Sequence, residues 1–455
     1  MVMSLRVPSK PVGPRRVLMV TPHFPPDTSA GTHRVRLLAP HLPAYGWEPV
    51  VVTVDPAYYE GRLDPGLLSL VSPSLRVVRS TAWASGWTRR LAIGDLGIRA
   101  FTGLRRISAD LLEREHFDAL FITIYPTYPA LLGPMLKRRF NVPFILDYQD
   151  PWVGAWGHTV GAGANGHVDW KSRATRWVAG RLEPRAVSAA DALTAVSELT
   201  YESVAGRYPG AAPDERVTLP IGGEPADFDA LRAGGASNTF FDPHDGLCHI
   251  SYVGTLLPLG VETMTAVLQA VALVNVRRPE VYARLRLHFF GTSNQTAGDP
   301  ATIAERVVPI ARSLGVADCV SEWPLRVPYL DALRIQLDSQ ALLLVGSSER
   351  HYTASKIYPA LLAKRPLLAV YHEASSVVTT LNRVGRAPAI HVVTYDDRGA
   401  AAAIEGACGA LVDLIQSPRY DADAVDLEAL QAYSAQVIAG RLAGVLDRVA
   451  QPGNR

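Results

Sequence analysis

Cysteine is nearly absent: among 455 residues only Cys248, Cys319 and Cys408 occur, far apart and with no CxxC pair. That excludes a disulfide scaffold and the common zinc modules, and leaves buried, reduced thiols as the expectation. An excess of one charge is missing too. Lys and Arg number 45 against 43 Asp and Glu, a formal net charge of +2, so no nucleic-acid partner is expected. No run of about 18 uninterrupted apolar residues occurs, and no spanning helix is expected. The start of the chain is rich in Pro and Arg and lacks the apolar stretch of a secretory signal, which points to a cytoplasmic protein. The loop after the first strand, 21–34, carries no GxGxxG, which disfavours a standard dinucleotide site there. The twelve histidines show no HxxxH or similar ligand spacing, so no metal site is expected.

What is present is apolar and ordered. Hydrophobic residues make up 48% and charged residues 19%, enough for a full core in each of two or three domains. Residues 16–20 (RVLMV) form an apolar run that reads as a buried parallel strand. A loop rich in Pro, Gly, Ser and Thr follows, then a helix capped by Thr32, with Pro40 and Pro43 counting against its second half. Residues 49–54 are the next strand. This strand–loop–helix–strand unit recurs, with strands expected at 118–124, 143–147, 192–196 and 217–220, and a long helix over 170–188. Residues 231–246 are turn-rich and read as an interdomain linker. A second series follows, with strands at 249–253, 285–290, 341–345 and 367–370. Residues 427–449 read as one amphipathic helix. The expected division is an N-terminal domain over 15–230, the linker, a C-terminal domain over 247–426, and the last helix, to 450, packing back on the first domain.

Chemistry concentrates in loops that follow strands. Gly31, in the loop 21–34, allows close backbone approach to a ligand, or belongs to an ordinary βα loop. In 147–152 (DYQDPW), Asp147 reads as a structural acceptor for loop N–H groups and Trp152 also suits the core. Asp150 reads as an acceptor-side carboxylate. Ser355 reads as a helix cap, with Lys356 in the first turn. A lysine there opposes the helix dipole, and a bound diphosphate reverses that balance. Gly254 with Thr255, and Gly291 with Thr292, are weaker strand-end turns. Glu183, Glu198 and Glu224 read as structural. Trp83, Trp87, Arg89, Arg90, Arg99, Phe101, Arg105 and Arg106 mix basic and aromatic residues, as suits an anionic bilayer surface, or a surface helix with its aromatics turned inward.

Together these segments resemble the retaining GT-B glycosyltransferases of the bacterial lipopolysaccharide and exopolysaccharide type, family 4-like, over about residues 15–450. The resemblance rests on 17–34 (VLMVTPHFPPDTSAGTHR), 145–152 (ILDYQDPW), 189–197 (AADALTAVS) with 219–228 (LPIGGEPADF), 250–254 (ISYVG) and 355–366 (SKIYPALLAKRP). It implies an α/β fold of two Rossmann-like parallel-sheet domains facing a central cleft. It implies retaining, metal-independent transfer from a nucleotide diphosphate sugar, as co-substrate with no other cofactor, to a hydroxyl of a glycan, a lipid-linked acceptor or a secondary metabolite. It implies a cytoplasmic place, peripheral at the inner face of the membrane. Lys356, Ser355 and Gly31 then hold the diphosphate. Gly254, Thr255, Gly291, Thr292, Arg326, Val327, Ile357 and Tyr358 line the donor. Asp150 handles the acceptor. Two departures stand out. Residues 255–260 (TLLPLG) lack the family's Arg and Lys, and His351 and Pro359 occupy the places of its two glutamates, with Glu349 the nearest substitute. These departures motivate two alternatives: a silent GT-B subunit that partners another transferase, and a GT-B sugar-nucleotide epimerase.

Overall fold

The computed structural model describes residues 13–91, 93–153, 170–233, 237–293, 295, 302–347 and 356–451. The chain divides into two compact units. Met1–Ile221 together with Ala435–Arg455 form one, and Gly222–Ser434 the other.

The first unit is built on a seven-stranded sheet in the order β3-β2-β1-β4-β5-β6-β7. Its strands are β1 (Arg15–Val20), β2 (Trp47–Val54), β3 (Arg76–Ser80), β4 (Ala119–Ile124), β5 (Phe144–Tyr148), β6 (Ala192–Ala195) and β7 (Arg216–Thr218). All adjacent pairs are parallel. The central strands are buried on both faces, which is why they read as continuous apolar runs. The helix Thr32–Leu38 passes into a 3₁₀ segment, Ala39–Tyr45, because Pro40 and Pro43 lack the N–H an α-helix needs. Gly46 ends it in the left-handed region at φ 80°.

Beneath the sheet's carboxyl edge lies a fully buried ion pair. Arg34 donates through Nε to Asp147 Oδ2 (2.8 Å) and through Nη2 to Oδ1 (2.5 Å). Its Nη1 donates to the carbonyls of Leu219 (2.7 Å) and Pro220 (2.9 Å), and Thr194 donates to Asp147 Oδ1 (2.7 Å). Asp147 is therefore structural, but its partner is a guanidinium and not the loop N–H groups expected from sequence. Glu183, also fully buried, accepts from Tyr148, Arg207 and Tyr208.

The second unit holds a six-stranded sheet in the order β10-β9-β8-β11-β12-β13. Its strands are β8 (Cys248–Val253), β9 (Leu285–Phe290), β10 (Val320–Trp323), β11 (Ala341–Val345), β12 (Leu367–His372) and β13 (Ile390–Tyr395), again all parallel. The segment Pro258–Arg277 is long and apolar enough to cross a membrane by length and composition, but half of that stretch is buried. Met264, Val267, Leu268 and Val271 pack in the unit's core. All three cysteines are buried and unpaired.

Two boundaries differ from expectation. The units divide at Ile221 and Gly222, ahead of the turn-rich stretch 231–246. The helix Pro225–Ala233 already sends Phe228 and Leu231 into the second unit's core. Phe240 stands edge-on to Phe290 (5.1 Å), and Phe241 stacks on His249 and His288 (4.7 Å each). Those rings anchor a segment that composition alone marks as free. At the other end, 427–449 is two helices. Leu427–Gln431 belongs to the second unit and Ala435–Val449 to the first. Ala429 is buried in one core, while Ile438, Leu442 and Leu446 lie in the other, with Val17 and Trp47. One straight helical face cannot serve two cores, and the chain breaks between them. Trp47 Nε1 donates to Asp447 (2.7 Å) and fixes the last helix to its own unit.

Candidate functional site

In an open parallel sheet, ligands bind beyond the carboxyl ends of the strands where the strand order reverses. In the first unit that point lies between β1 and β4, and in the second between β8 and β11.

At the first point β1 leads into Thr21, Pro22 and His23. His23 Nδ1 lies 2.5 Å from Asp27 Oδ2. The same oxygen accepts from the Ser29 hydroxyl (2.6 Å) and the Thr32 hydroxyl (3.3 Å). Burial pushes the Asp27 carboxyl up, but the His23 hydrogen bond and charge, with Ser29, bring it below the usual carboxylate value. The His23 ring stacks near Tyr59 (6.1 Å) and tilts against Tyr125 (5.5 Å), the residue after β4. A Cβ on Gly31 would lie 2.6 Å from the Tyr125 ring. The glycine thus makes room for that ring.

Two further carboxylates share this edge. Asp95 caps the helix Leu96–Arg114 by accepting from the Ile98 N–H (2.9 Å), and desolvation raises its pKa. Asp150, two residues beyond β5, has an exposed side chain at the margin of dense protein, and desolvation raises its pKa as well. Trp152 is half-buried and stands edge-on to Tyr128 (5.8 Å).

At the second point Gly254 follows β8 with φ 139°, which excludes an ordinary side chain. A Cβ there would lie 2.4 Å from Cε and 2.5 Å from Nζ of Lys356. The lysine crosses over the glycine and donates from Nζ to the Thr255 carbonyl (2.7 Å) and the Tyr252 hydroxyl (3.3 Å). Desolvation, and secondarily the charge of Arg326, lower the Lys356 pKa to about 7. Lys356 takes the cap position of the helix Ile357–Leu362 that sequence gave to Ser355, and Pro359 falls in the first turn, where its missing N–H has no partner to lose. Ser355 and Glu349 lie outside the described residues.

The remaining donor candidates separate by burial. Ile357 and Tyr358 are core side chains. Tyr358 stacks on Tyr433 (5.4 Å) and lines an apolar cavity of about 200 Å³ with Leu362 and Leu430. The Ile357 and Tyr358 side chains pack inward, because the inward face of the short helix's first turn is committed to the core. Thr292 is fully buried and its hydroxyl donates to Glu322 (2.5 Å). Gly291 turns at φ 72°. Arg326 and Val327 follow β10 and are half-buried.

Residues 29–222 match the model of the glycosyl transferase 4-like domain. No curated protein sequence matches the chain. Among solved structures it is similar to HepE of Anabaena in complex with UDP, at 12% identity and TM-score 0.59, covering 95% of this chain and 100% of that one. It is similar to a UDP-forming trehalose-phosphate synthase of Burkholderia xenovorans, at 13% identity and TM-score 0.55, with 96% and 100% covered. A putative UDP-N-acetylglucosamine 2-epimerase of Listeria monocytogenes matches at 12% identity and TM-score 0.50, with 96% of each chain covered. The fold is GT-B, with two parallel-sheet α/β domains.

Four contributors went unnoticed in sequence. His23 and Asp27 lie inside the first loop motif but carry no recognisable spacing. Arg306 donates to the carbonyls of Leu256 (2.5 Å) and Thr292 (3.2 Å), tying together the turns after β8 and β9. Glu322 accepts from the N–H groups of Arg306, Val307 and Val308. Among the described residues, no group of three His, Cys, Asp or Glu side chains is arranged to hold a metal ion.

Proposed function

We propose that the chain transfers a glycosyl unit from a nucleotide diphosphate sugar, UDP-linked by preference, to an acceptor hydroxyl of a glycan or lipid-linked saccharide. The observation that carries this reading is Lys356 folded over the Gly254–Thr255 turn at the strand-order reversal. A desolvated ammonium beside Arg326 attracts a diphosphate, and negative charge grows on that group as the glycosidic bond breaks. The UDP bound by HepE and the UDP-forming reaction named for the trehalose-phosphate synthase support the choice of nucleotide.

Lys356 and Arg326 supply positive charge where the family's Arg and Lys are missing, so the reading calls on no metal. Gly291, Thr255 and Val327 shape the backbone against nucleoside and ribose. Ser355 and Glu349 complete the donor side, Glu349 in place of the family's glutamates. Asp150 accepts hydrogen bonds from acceptor hydroxyls, and retention is the outcome the resemblance implies.

The first unit also meets an anionic membrane surface in this reading. Trp83 and Trp87 are 43% and 60% exposed, and Arg90 is exposed beside them in sequence. Arg99 leaves the set, since it is buried and donates to the Trp83 and Tyr58 carbonyls.

Calorimetry with UDP, GDP, TDP and ADP, followed by assays with the matching sugars, tests the proposal. UDP binding that Lys356→Ala weakens, together with transfer to a saccharide, is the expected result. UDP binding without turnover on any acceptor favours the silent subunit, and turnover without acceptor favours the epimerase.

A further inference from the structure

This inference rests on the glycosyltransferase reading and concerns its donor side, within the second unit alone. Glu322 lies in β10, is half-buried, and has its carboxylate filled by the protein itself. Oε1 accepts from the hydroxyl of the fully buried Thr292 (2.5 Å) and from the Arg306 N–H (3.0 Å). Oε2 accepts from the N–H groups of Val307 (2.8 Å) and Val308 (3.0 Å). A carboxylate offers about four lone-pair sites, so none remains for a ligand. Glu322 is placed to hold its neighbours and not to bind.

Those N–H groups open the helix Val308–Ser313, which has no capping side chain of its own. Val307 takes the cap position, and Pro309 contributes no N–H. A Ser or Asp in the cap position would satisfy such groups locally. The acceptor comes instead from a strand 14 to 16 residues further on, and so links the helix start to Thr292 in the turn after β9. Arg306 carries the link onward. Its Nη1 donates to the carbonyls of Leu256 (2.5 Å) and Thr292 (3.2 Å). The Leu256 N–H also donates to the Thr292 carbonyl (3.0 Å). The turns after β8 and β9 are thereby fastened to each other and, through Glu322, to β10. Both begin at glycines with positive φ, Gly254 at 139° and Gly291 at 72°, so their backbone has wide freedom unless it is fastened.

We propose that Glu322 is a positioning residue of the donor site. It holds Arg306 and Thr292, and through them sets the backbone of both turns against the nucleoside of the bound nucleotide. Turns fixed before binding lose less conformational entropy when the nucleotide arrives, which raises affinity. The nucleoside lies away from the bond that breaks. The gain is therefore equal in the ground and transition states, and it appears in KM and not in kcat.

The test uses the full chain, with UDP and UMP titrated by calorimetry below the Tm of every variant. Glu322→Ala is expected to weaken both by the same factor, about tenfold to a hundredfold. Added acetate, a carboxylate small enough for the vacated place, should restore part of this variant's UDP affinity and leave that of the wild type unchanged. With UDP-sugars as donors, the variant's donor KM should rise while kcat stays within about threefold of wild type. Thr292→Val removes one hydroxyl donor, keeps the side-chain shape, and serves where the alanine variant fails to fold. It should weaken both nucleotides by about threefold to tenfold. Affinities within about twofold of wild type overturn the proposal, as does a loss confined to UDP, or a fall in kcat with KM unchanged. A wild-type chain that binds neither nucleotide overturns the donor reading and this inference with it. Wild-type binding with unaltered variants strikes this inference alone.

Discussion

The carboxyl edges of the two sheets share a topology and differ in chemistry. The first carries groups that accept protons or hydrogen bonds: His23 with Asp27, then Asp95 and Asp150, between tyrosine and tryptophan rings. The second carries Lys356 and Arg326 around turns of glycine and threonine. Desolvation acts at both with opposite electrostatic sense. It raises the carboxyl pKa values of Asp95 and Asp150 and lowers that of the Lys356 ammonium, so at each edge burial works against the charged form. In the proposed function the first edge serves the acceptor and the second the donor, through a few side chains at equivalent strand ends.

Beneath the edges the units are also braced differently, by a charged pair in the first and a chain of stacked rings in the second. The largest expected effect comes from breaking the pair. Arg34→Ala leaves Asp147 charged and buried, and should cost about 3–5 kcal/mol of stability in the first unit. Arg34→Met with Asp147→Leu should recover much of it. Chemical denaturation followed by Trp47 fluorescence measures both, and equal loss in single and double variants would deny the pair its role.

The donor half is tested at Lys356. Lys356→Ala should weaken UDP binding by about 1.5–3 kcal/mol with little change in Tm, the size of a charge-assisted hydrogen bond. Gly254→Ala should act in the same direction, since its Cβ would displace the lysine. The sign with pH follows from the free pKa of about 7. A bound diphosphate raises it, so binding takes up a proton above pH 7 and affinity falls as pH rises. Calorimetry in buffers of different ionisation enthalpy reads that proton directly. A buffer-independent heat would remove Lys356 from the diphosphate.

A smaller effect separates the units by acid. Burial, and then the charges of His249 and Arg286, lower the His288 pKa to about 3 in the folded chain, against an ordinary 6.5. Below pH 6.5 the unfolded chain binds a proton that the folded one refuses. Stability of the second unit therefore falls between pH 6.5 and 3, by at most about 1.4 kcal/mol per pH unit. His288→Gln should flatten that dependence, and a wild-type Tm independent of pH across this window would contradict it. The smallest effect is at the surface. Trp87→Ala with Arg90→Ala should reduce flotation with phosphatidylserine vesicles at low salt, by about 1 kcal/mol for the arginine. No salt-sensitive binding by the wild type removes the membrane from the account.

The sequence exposed the interior of both sheets and hid their margins. Strands β1, β4, β5, β8, β9 and β11 are short apolar runs because both faces are covered. The edge strands β3 and β10 are half-exposed and β13 partly so, and the runs RVVRS, VSEW and IHVVTY carry polar residues that disguise them. The loops that carry the candidate site were legible for the same reason the strands were, since each follows a recognisable run. Which residues in them face a ligand was not legible. Thr292, Ile357 and Tyr358 stand in those loops by number, yet their side chains belong to the interior.

Apolar periodicity and turn residues determined that this chain folds as two parallel α/β units, because burying strands on both faces leaves a mark on consecutive residues. Partnerships across the chain were decided only in three dimensions. Arg34 meets Asp147 across 113 positions, and Lys356 meets Thr255 across 101. The pairing of His23 with Asp27 spans only four, but its meaning depends on Tyr125, brought alongside by the adjacency of β1 and β4. A side chain's charge state and openness depend on what folding packs around it, and no local pattern in the sequence records that.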